Sequence, residues 1–284
     1  MSAGKRQANT LALHGLLILL AIVTVVPYVW LIVASLKGQD DFFSSIFLPP
    51  GDGAFGVGWD KLTLKNYTHL FELGFGNSLV NSIFYSATTA LFATLICAAT
   101  GFVLAKHHFR GRNLITLVVL GALIVPPTLL LAPGYELLYD LKLLDTAWGL
   151  LLPLIAPAFG VFLFRQAVIQ SVPDELLEAA RIDGCSEWSI FFVIVLPLVR
   201  PMIGAFMLIT FLGMWNNFIS PQIVLQSADK QPLSVAIAQL KGVYKTDYGL
   251  LTAATVVSVL PVAALFLLLQ RQFISGLTSG AVKG

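Results

Sequence analysis

Charged side chains are scarce in this sequence. Asp, Glu, Lys and Arg make up 11% of its 284 residues, whereas 57% are hydrophobic and the mean hydropathy is +0.85. A soluble domain carries about 25% charged residues, so this composition excludes an ordinary soluble globule as well as a disordered chain. The 17 basic and 15 acidic residues nearly cancel, which excludes the strong positive charge expected of a nucleic-acid-binding domain.

Cysteine and histidine are also scarce, with two and four residues respectively. Cys97 lies in a long apolar stretch and Cys185 in a polar segment, so no disulfide between them is expected. His107 and His108 are adjacent, but neighbouring side chains on a helix point about 100° apart, and no third ligand is near in sequence. The sequence therefore predicts no metal site and no cofactor bound by this chain.

Catalytic and nucleotide-binding patterns are missing as well. The sequence has no G-x-x-x-x-G-K-[ST] loop, so any ATP that drives this protein must bind to another chain. The long apolar stretches contain no Asp, Glu, Lys or Arg, which argues against proton or ion coupling. They also contain nothing that would activate their hydroxyl groups. We predict that the protein is not an enzyme.

The positions of the few charges outline membrane-spanning helices, because a charge at the bilayer centre costs roughly 2.5 to 3.5 kcal/mol. Uncharged apolar stretches long enough to cross a bilayer occur six times. The predicted spans are 11–36, 77–105, 114–135, 146–166, 201–223 and 249–270, of which the fourth extends past its uncharged stretch to include Arg165. We therefore predict an all-α polytopic membrane protein that forms a single domain over residues 1–284.

The distribution of Lys and Arg predicts the orientation of the chain. An even number of spans places both termini on one side, and ten of the 17 basic residues fall on that side. The positive-inside rule identifies this side as the cytoplasm. The clearest indication is the segment KHHFRGR between the second and third spans, where Lys106, Arg110 and Arg112 are interpreted as topology anchors.

A polar segment, residues 171–197, connects the fourth and fifth spans. Ser171 is positioned to cap a short helix that starts near Pro173 and Asp174, and Gly184 suits a left-handed turn at the end of that helix. This first helix is too short and too charged to cross a bilayer.

A second helix is expected after Ser186, and Pro197 and Pro201 interrupt the backbone before the fifth span. Its predicted apolar stripe consists of Trp188, Phe191, Phe192 and Val195. The segment is therefore expected to be a helix-turn-helix that lies across the cytoplasmic face. A simple connector with no further role is the other interpretation of the same pattern.

The string EAARIDG from Glu178 to Gly184, followed thirteen residues later by Pro197, resembles the EAA loop of permease subunits of ATP-binding-cassette (ABC) importers. The flanking VPDELLEAARIDG and LPLVRP are similar to the carbohydrate-importer form of that loop. Further strings occur in the order found in the family: SLK at 35–37, NSL at 77–79, FRGR at 109–112, WNNF at 215–218 and GLTSGAVKG from Gly276. The chain is thus similar to binding-protein-dependent permeases of the maltose inner-membrane type.

The resemblance implies that the EAA loop docks on a cytoplasmic ATPase subunit and transmits its ATP-driven closure to the spans. The residues to which it assigns this coupling are Glu178, Ala179, Ala180, Arg181, Asp183, Gly184 and Pro197. Glu178 would pair with a basic group of the ATPase, while Ala179 and Ala180 would stay small for close packing. Gly184 would form the turn, which Asp183 would help to fix.

The candidate substrate path consists of Trp215, Asn216 and Asn217 in the fifth span, because a ring and two amides suit an uncharged polyhydroxyl ligand. Asn side chains that bond between helices, and a Trp at the membrane interface, explain these residues at least as well.

Two segments outside the membrane are candidate surfaces for a solute-binding protein, although ordinary solvated connections explain them as readily. The first runs from Lys37 to Gly76 and the second from Pro221 to Tyr248. The second is expected to expose Lys230, Lys241 and Lys245.

The resemblance implies a permease subunit in the bacterial cytoplasmic (inner) membrane that translocates a carbohydrate by alternating access. Its expected partners are a second permease subunit, two ABC ATPase subunits that bind ATP and magnesium, and an extracytoplasmic solute-binding protein. The tail beyond Gln272 is expected to reach the interface between the ATPase subunits. The alternative is a passive membrane channel or a structural membrane subunit without an ATPase partner.

Overall fold

The computed structural model describes residues 3–39, 41–241 and 246–281, and the side chains of residues 10–268 within those ranges. Regular structure in this part of the chain is helical, and β pairing is confined to isolated bridges between Lys37 and Leu62 and between Pro50 and Val57. The prediction of an all-α fold is confirmed. Lys245 and the last three residues of the tail, 282–284, lie outside the described residues.

The α-helices are α1 (Ala3–Ser35), α2 (Lys65–Glu72), α3 (Phe75–Lys106), α4 (Arg112–Ala122), α5 (Leu131–Asp140), α6 (Ala147–Leu151), α7 (Ala158–Ser171), α8 (Asp174–Ile182), α9 (Glu187–Ser189), α10 (Leu196–Leu198), α11 (Arg200–Trp215), α12 (Ile219–Val224), α13 (Leu233–Gln239) and α14 (Tyr248–Ala281). The 3₁₀ turns are Ala54–Gly56, Trp59–Lys61, Pro127–Leu130, Leu152–Leu154 and Ala228–Lys230, and a π-helical turn covers Ile190–Val195.

Contacts divide the chain into two compact units. The first comprises Met1–Phe75 and Ile237–Leu260, and the second comprises Gly76–Ala236 and Pro261–Gly284. The extent of a single domain over residues 1–284 stays a prediction.

Polar contacts in the first unit fasten the chain that follows α1. Asn66, in α2, donates through Nδ2 to the carbonyl oxygens of Ser35 and Lys37, each at 2.8 Å. The Ser35 hydroxyl also lies 2.6 Å from the hydroxyl of Tyr67. The Lys37 ammonium donates to the carbonyl of Ser45 at 2.6 Å, and burial lowers the pKa of Lys37. These contacts hold α2 against the end of α1.

Three described helices are long and apolar enough to cross a bilayer unaided: Thr10–Ser35 within α1, Phe75–Lys106, and Tyr248–Leu268 within α14. They coincide with the first, second and sixth predicted spans. Residues 10–29 of α1 are exposed although most of them are apolar. An exposed apolar surface of this kind is typical of a helix that contacts lipid or another membrane subunit.

The third and fourth predicted spans are bent rather than continuous. In the third, 114–135, α4 and the helical stretch Pro127–Asp140 meet at 99°. Pro126 and Pro127 lie at this break, where each lacks the N–H that would continue the helix. In the fourth, 146–166, the helical stretches Ala147–Leu154 and Ala158–Ser171 meet at 43°.

The fifth predicted span, 201–223, is interrupted at residues 216–218, between α11 and α12. At its other end the stretch Glu187–Leu198 meets α11 at 82°, and Pro197 and Pro201 flank this bend as the sequence predicted. Six crossings result if each bent pair is one span, so the count of six stays a prediction.

The second unit contains a buried cluster that joins α3 to segment 171–197. Phe164 and Phe206, from α7 and α11, lie at its centre with ring centroids 5.3 Å apart. The members contributed by the end of α3 and by segment 171–197 are Ala98, Phe102, Leu104, Ala105, Val172, Leu177, Ala180, Ile190, Phe191 and Val195. This core places the end of α3 against both helices of the segment.

Candidate functional site

The first helix of segment 171–197 is α8, which begins at Asp174. The position before it is Pro173, and no side-chain cap is found there among the described residues. The prediction that Ser171 caps this helix was wrong, because Ser171 is the last residue of α7. Asp174 and Glu175 place negative charge in the first turn, where the helix dipole favours it.

Gly184 forms the predicted left-handed turn, with φ of +80°. The Gly184 N–H donates to the carbonyl of Arg181, and the Cys185 N–H donates to the carbonyl of Ala180, both at 3.0 Å. These two bonds make a Schellman motif, in which the carbonyls at the end of α8 are satisfied by the backbone. Asp183 lies at the C-cap, where its own N–H donates to the carbonyl of Ala179 at 2.9 Å.

The second helix begins at Glu187 and is capped by Ser186, whose hydroxyl accepts from the Ser189 N–H at 3.2 Å. It then passes through the π-helical turn Ile190–Val195, which the sequence did not predict. Trp188 and Phe192 are 70% and 54% exposed.

The predicted apolar stripe was therefore only half correct. A π turn closes i→i+5 hydrogen bonds, so residues spaced for an α-helix no longer share one face. Ile190, Phe191 and Val195 are buried instead.

Two basic residues at the end of α3 contact the two helices of the segment. Lys106 Nζ donates to Asp174 Oδ1 at 2.8 Å, and His107 Nε2 lies 3.1 Å from Glu187 Oε2. Arg181 Nε donates to the other oxygen of Glu187, Oε1, at 2.7 Å. The Arg181–Glu187 pair bridges α8 and α9 across the Gly184 turn.

These contacts keep the acids ionised. The hydrogen bond from Lys106 lowers the pKa of Asp174, and the hydrogen bond from Arg181 lowers the pKa of Glu187. The same pair with Glu187 raises the pKa of Arg181. The two carboxylates and the guanidinium are therefore charged at neutral pH.

The predicted coupling residues are exposed, with one exception. Those that are exposed are Glu178, Ala179, Arg181, Asp183, Gly184 and Pro197. Ala180 is only 8% exposed and packs in the core of the chain itself. The two alanines were assigned one role, but Ala179 is exposed and Ala180 is buried, because adjacent residues on a helix point about 100° apart.

The candidate substrate-path residues are at the break between α11 and α12, and they differ in environment. Trp215 is buried and stacks on Phe211, with centroids 5.6 Å apart. Asn216 is exposed, and its amide donates to the carbonyl of Leu212 in its own helix. Asn217 instead lines a cavity.

This cavity has a volume of about 420 Å³ and lies between the second part of the third span, the first part of the fourth and α12. Leucine, isoleucine, valine and proline side chains form most of its wall. Its polar side chains are Thr128, Tyr135, Asn217 and Ser220. A mostly apolar wall with a few polar groups is typical of sites for small organic ligands.

A second polar cluster joins the loop between the third and fourth spans to the loop after α12. The Asp145 carboxylate accepts from Lys230 Nζ at 2.6 Å, and from the backbone N–H and hydroxyl of Ser227 at 2.9 and 2.6 Å. The hydrogen bond from Lys230 is the largest cause that lowers the pKa of Asp145. Lys230 is thus half-buried and paired rather than exposed as predicted, whereas Lys241 is exposed.

Residues 98–279, which include segment 171–197, match the protein family described as binding-protein-dependent transport system inner membrane component. The match covers more than half of the chain. The chain belongs to the binding-protein-dependent transport system inner membrane component family. The resemblance indicated by the EAARIDG and WNNF strings is therefore confirmed.

Relatives of this inner membrane component match over nearly their whole length. The arabinooligosaccharides transport system permease protein AraQ of Halalkalibacterium halodurans is 38% identical over 275 residues, which are 93% of each chain. The lactose transport system permease protein LacG of Rhizobium radiobacter is 33% identical over 284 residues, which are 100% of each chain.

The fold of this inner membrane component is similar to that of a chain in a bacterial ABC transporter involved in the import of the acidic polysaccharide alginate. The TM-score is 0.81 at 21% identity, and the match covers 96% of this chain and 99% of that one.

Sequence reasoning missed the two contacts that join Lys106 to Asp174 and His107 to Glu187 in this inner membrane component. Lys106 was assigned to topology alone, and His107 was considered only as a metal ligand. Each contact joins residues 68 or 80 positions apart. The available signal was the position of each acid at the start of a helix, but no local pattern pairs it with a base.

Proposed function

We propose that this chain is the permease subunit of an ABC importer that moves a carbohydrate across the bacterial cytoplasmic (inner) membrane by alternating access. Its family supports a membrane component that works with a binding protein. The names of its relatives support a sugar as cargo, since they concern arabinooligosaccharides and lactose.

The observation that carries the proposal is the exposed side of α8. Leu177 and Ala180 hold one face of α8 in the core, while Glu178 and the Gly184 turn point away from it. A helix whose buried face packs in the core and whose exposed face carries charge suits docking to a soluble partner. The partner proposed here is the ATPase subunit that the resemblance of the EAA loop implies.

The proposed assembly contains a second permease subunit, two ATPase subunits and an extracytoplasmic solute-binding protein. ATP and magnesium bind to the ATPase subunits, and this chain has no catalytic role. Segment 171–197 and both termini face the cytoplasm, in accord with the bias of Lys and Arg. The Asp145–Lys230 cluster then lies on the opposite side, where the binding protein docks.

Asn217 is the residue we propose for the substrate path. Its side chain lines the cavity together with the hydroxyl groups of Thr128, Tyr135 and Ser220. Amide and hydroxyl groups exchange hydrogen bonds readily with sugar hydroxyls. Asn217 Oδ1 accepts from the Ser220 N–H at 3.2 Å, so it is the amide nitrogen of Asn217 that we propose for the ligand. Asn216 is a weaker candidate, because its amide nitrogen donates to the carbonyl of Leu212 in its own helix and the residue does not line the cavity.

Site-specific cross-linking in the complete complex tests the docking. Glu178→Cys, introduced together with Cys185→Ser so that the exposed native thiol is absent, should cross-link to an ATPase subunit. Asp140→Cys at the exposed end of α5 is the matched control and should give no such product.

A complex that purifies without any ATPase and gives no product from Glu178→Cys contradicts the proposal. The alternative, a passive channel or a structural membrane subunit, would then be preferred. Ligand screening on the cognate binding protein identifies the sugar.

A further inference from the structure

The cytoplasmic end of the second span, α3, packs against the two helices of segment 171–197. The Phe102 ring lies parallel to the Phe191 ring, with centroids 6.0 Å apart, and meets the His107 ring edge-on at 5.0 Å. Ala105 is in the same core cluster as Leu177. Both helices of the segment therefore pack directly against α3, which is far from them in sequence.

An ion pair and a hydrogen-bond contact tie this end of α3 to the first residue of each helix. Lys106 pairs with Asp174, where α8 begins, and His107 contacts Glu187, where α9 begins. The Lys106–Asp174 contact joins a cation at a helix C-terminus to an acid at a helix N-terminus, and the helix dipoles favour both positions. The Lys106 side chain is only 8% exposed, so its stem is held by packing as well as by charge.

A neighbouring residue stiffens the end of α3 itself. Arg112 Nε donates to the carbonyl of Leu104 at 2.9 Å, and its Nη2 donates to the carbonyl of Ala105 at 3.0 Å. Carbonyls in the last turn of a helix have no partner within the helix, so these bonds suppress fraying. Lys106 and His107 consequently project from an ordered helix end.

We propose that Lys106 and His107 are positioning residues that fasten the second span to both helices of the coupling segment. When the ATPase subunits displace the segment, α3 moves with it as one body, although it is not adjacent to the segment in the chain. This inference rests on the proposed function, because it specifies how docking at segment 171–197 reaches the spans.

The tether predicts loss of coupling without loss of folding. Asp174 is 72% exposed, so replacing it should cost little stability and leave the complex assembled, whereas Lys106 is packed and its variants are checked for assembly. An element that transmits motion needs its attachment in both conformations, so transport per ATP hydrolysed should fall. This ratio separates a positioning role from a merely structural one.

Charge exchange in the complete complex, reconstituted in vesicles with binding protein and sugar, tests the Lys106–Asp174 contact. Lys106→Asp and Asp174→Lys, each alone, should lower sugar transported per ATP at least about fivefold, the lower end of usual coupling between linked sites. The double exchange should recover most of this loss. Arg110→Asp, in the same basic segment but exposed, is the matched control and should keep the wild-type ratio.

A second measurement covers the case in which a single exchange fails to assemble. Lys106→Cys and Asp174→Cys, together with Cys185→Ser, are joined by a short bifunctional thiol reagent. If α3 and α8 move as one body, cross-linked complexes keep transporting. If transport stops on cross-linking, or if the single exchanges keep the wild-type ratio, the tether is overturned. Failure of the proposed function looks different, because the wild-type complex itself then lacks ATPase.

Discussion

At the scale of single residues, Gly184 shapes the turn between α8 and α9 through its backbone. Its φ of +80° is in the left-handed region, and an added Cβ would meet no atom within 4 Å. Glycine is therefore required for its backbone conformation, and not because a larger side chain would clash. Left-handed backbone is particularly unfavourable for β-branched residues, whereas asparagine tolerates it.

We expect Gly184→Val to abolish sugar uptake while the protein still inserts into the membrane. The strained turn would open the Schellman motif and displace the docking edge of α8. Uptake by cells and membrane content by immunoblot measure the two effects.

Gly184→Asn is the matched control and should retain most of the uptake. Normal transport by Gly184→Val would contradict a role of the turn in coupling.

At the scale of elements, α3 and α7 approach each other closely at Gly101. A Cβ at this position would lie 2.7 Å from the backbone nitrogen of Arg165 and 2.8 Å from the carbonyl carbon of Phe164. Backbone atoms cannot give way as the end of a side chain can, so the helices must separate to admit even a methyl group. Small residues at such crossings are typical of helix packing in membranes.

We expect Gly101→Ala to destabilise the protein by about 1–3 kcal/mol, the usual range for overpacking. Thermal unfolding of the purified complex in detergent measures the change.

Gly121→Ala, in α4, is the comparison, because a Cβ there meets nothing within 4 Å. It should be neutral or stabilising, since alanine is preferred to glycine by roughly 0.5–1 kcal/mol within a helix. Equal destabilisation by both variants would refute the close approach of α3 and α7.

Sequence patterns predicted the positions of the helices better than the bends and turns that interrupt them. Charge-free stretches located α1, α3 and α14, because hydropathy reports burial in lipid. They missed the 99° turn before Pro127–Asp140 and the π turn at Ile190–Val195. A hydropathy count averages side chains and ignores backbone hydrogen bonds, so it does not register a bend such as the one at Pro126 and Pro127.

At the scale of the whole molecule, the substrate must pass the membrane along a path to which Asn217 is proposed to contribute. Asn217→Ala is expected to reduce transport of the cognate sugar several-fold, because a hydrogen-bonding group in the cavity is lost. Uptake of radiolabelled sugar measures this effect, while ATPase activity in detergent should remain.

Asn216→Ala is the matched control, because the Asn216 amide donates to the carbonyl of Leu212 in its own helix. This variant should transport normally. A larger defect in Asn216→Ala than in Asn217→Ala would place the path on the other face of α11.

The sequence by itself determined that this chain is an all-helical membrane protein of a binding-protein-dependent transport family. The scarcity of charge in the spans and the EAARIDG pattern are local properties of the chain, so both can be recognised in the sequence without knowledge of the fold. Only the tertiary structure decided that Ala180 faces inward while Ala179 faces outward, and that Lys106 and His107 hold Asp174 and Glu187. The physical reason is that contacts between side chains 68 and 80 residues apart arise from packing of helices, which no periodicity along the chain encodes.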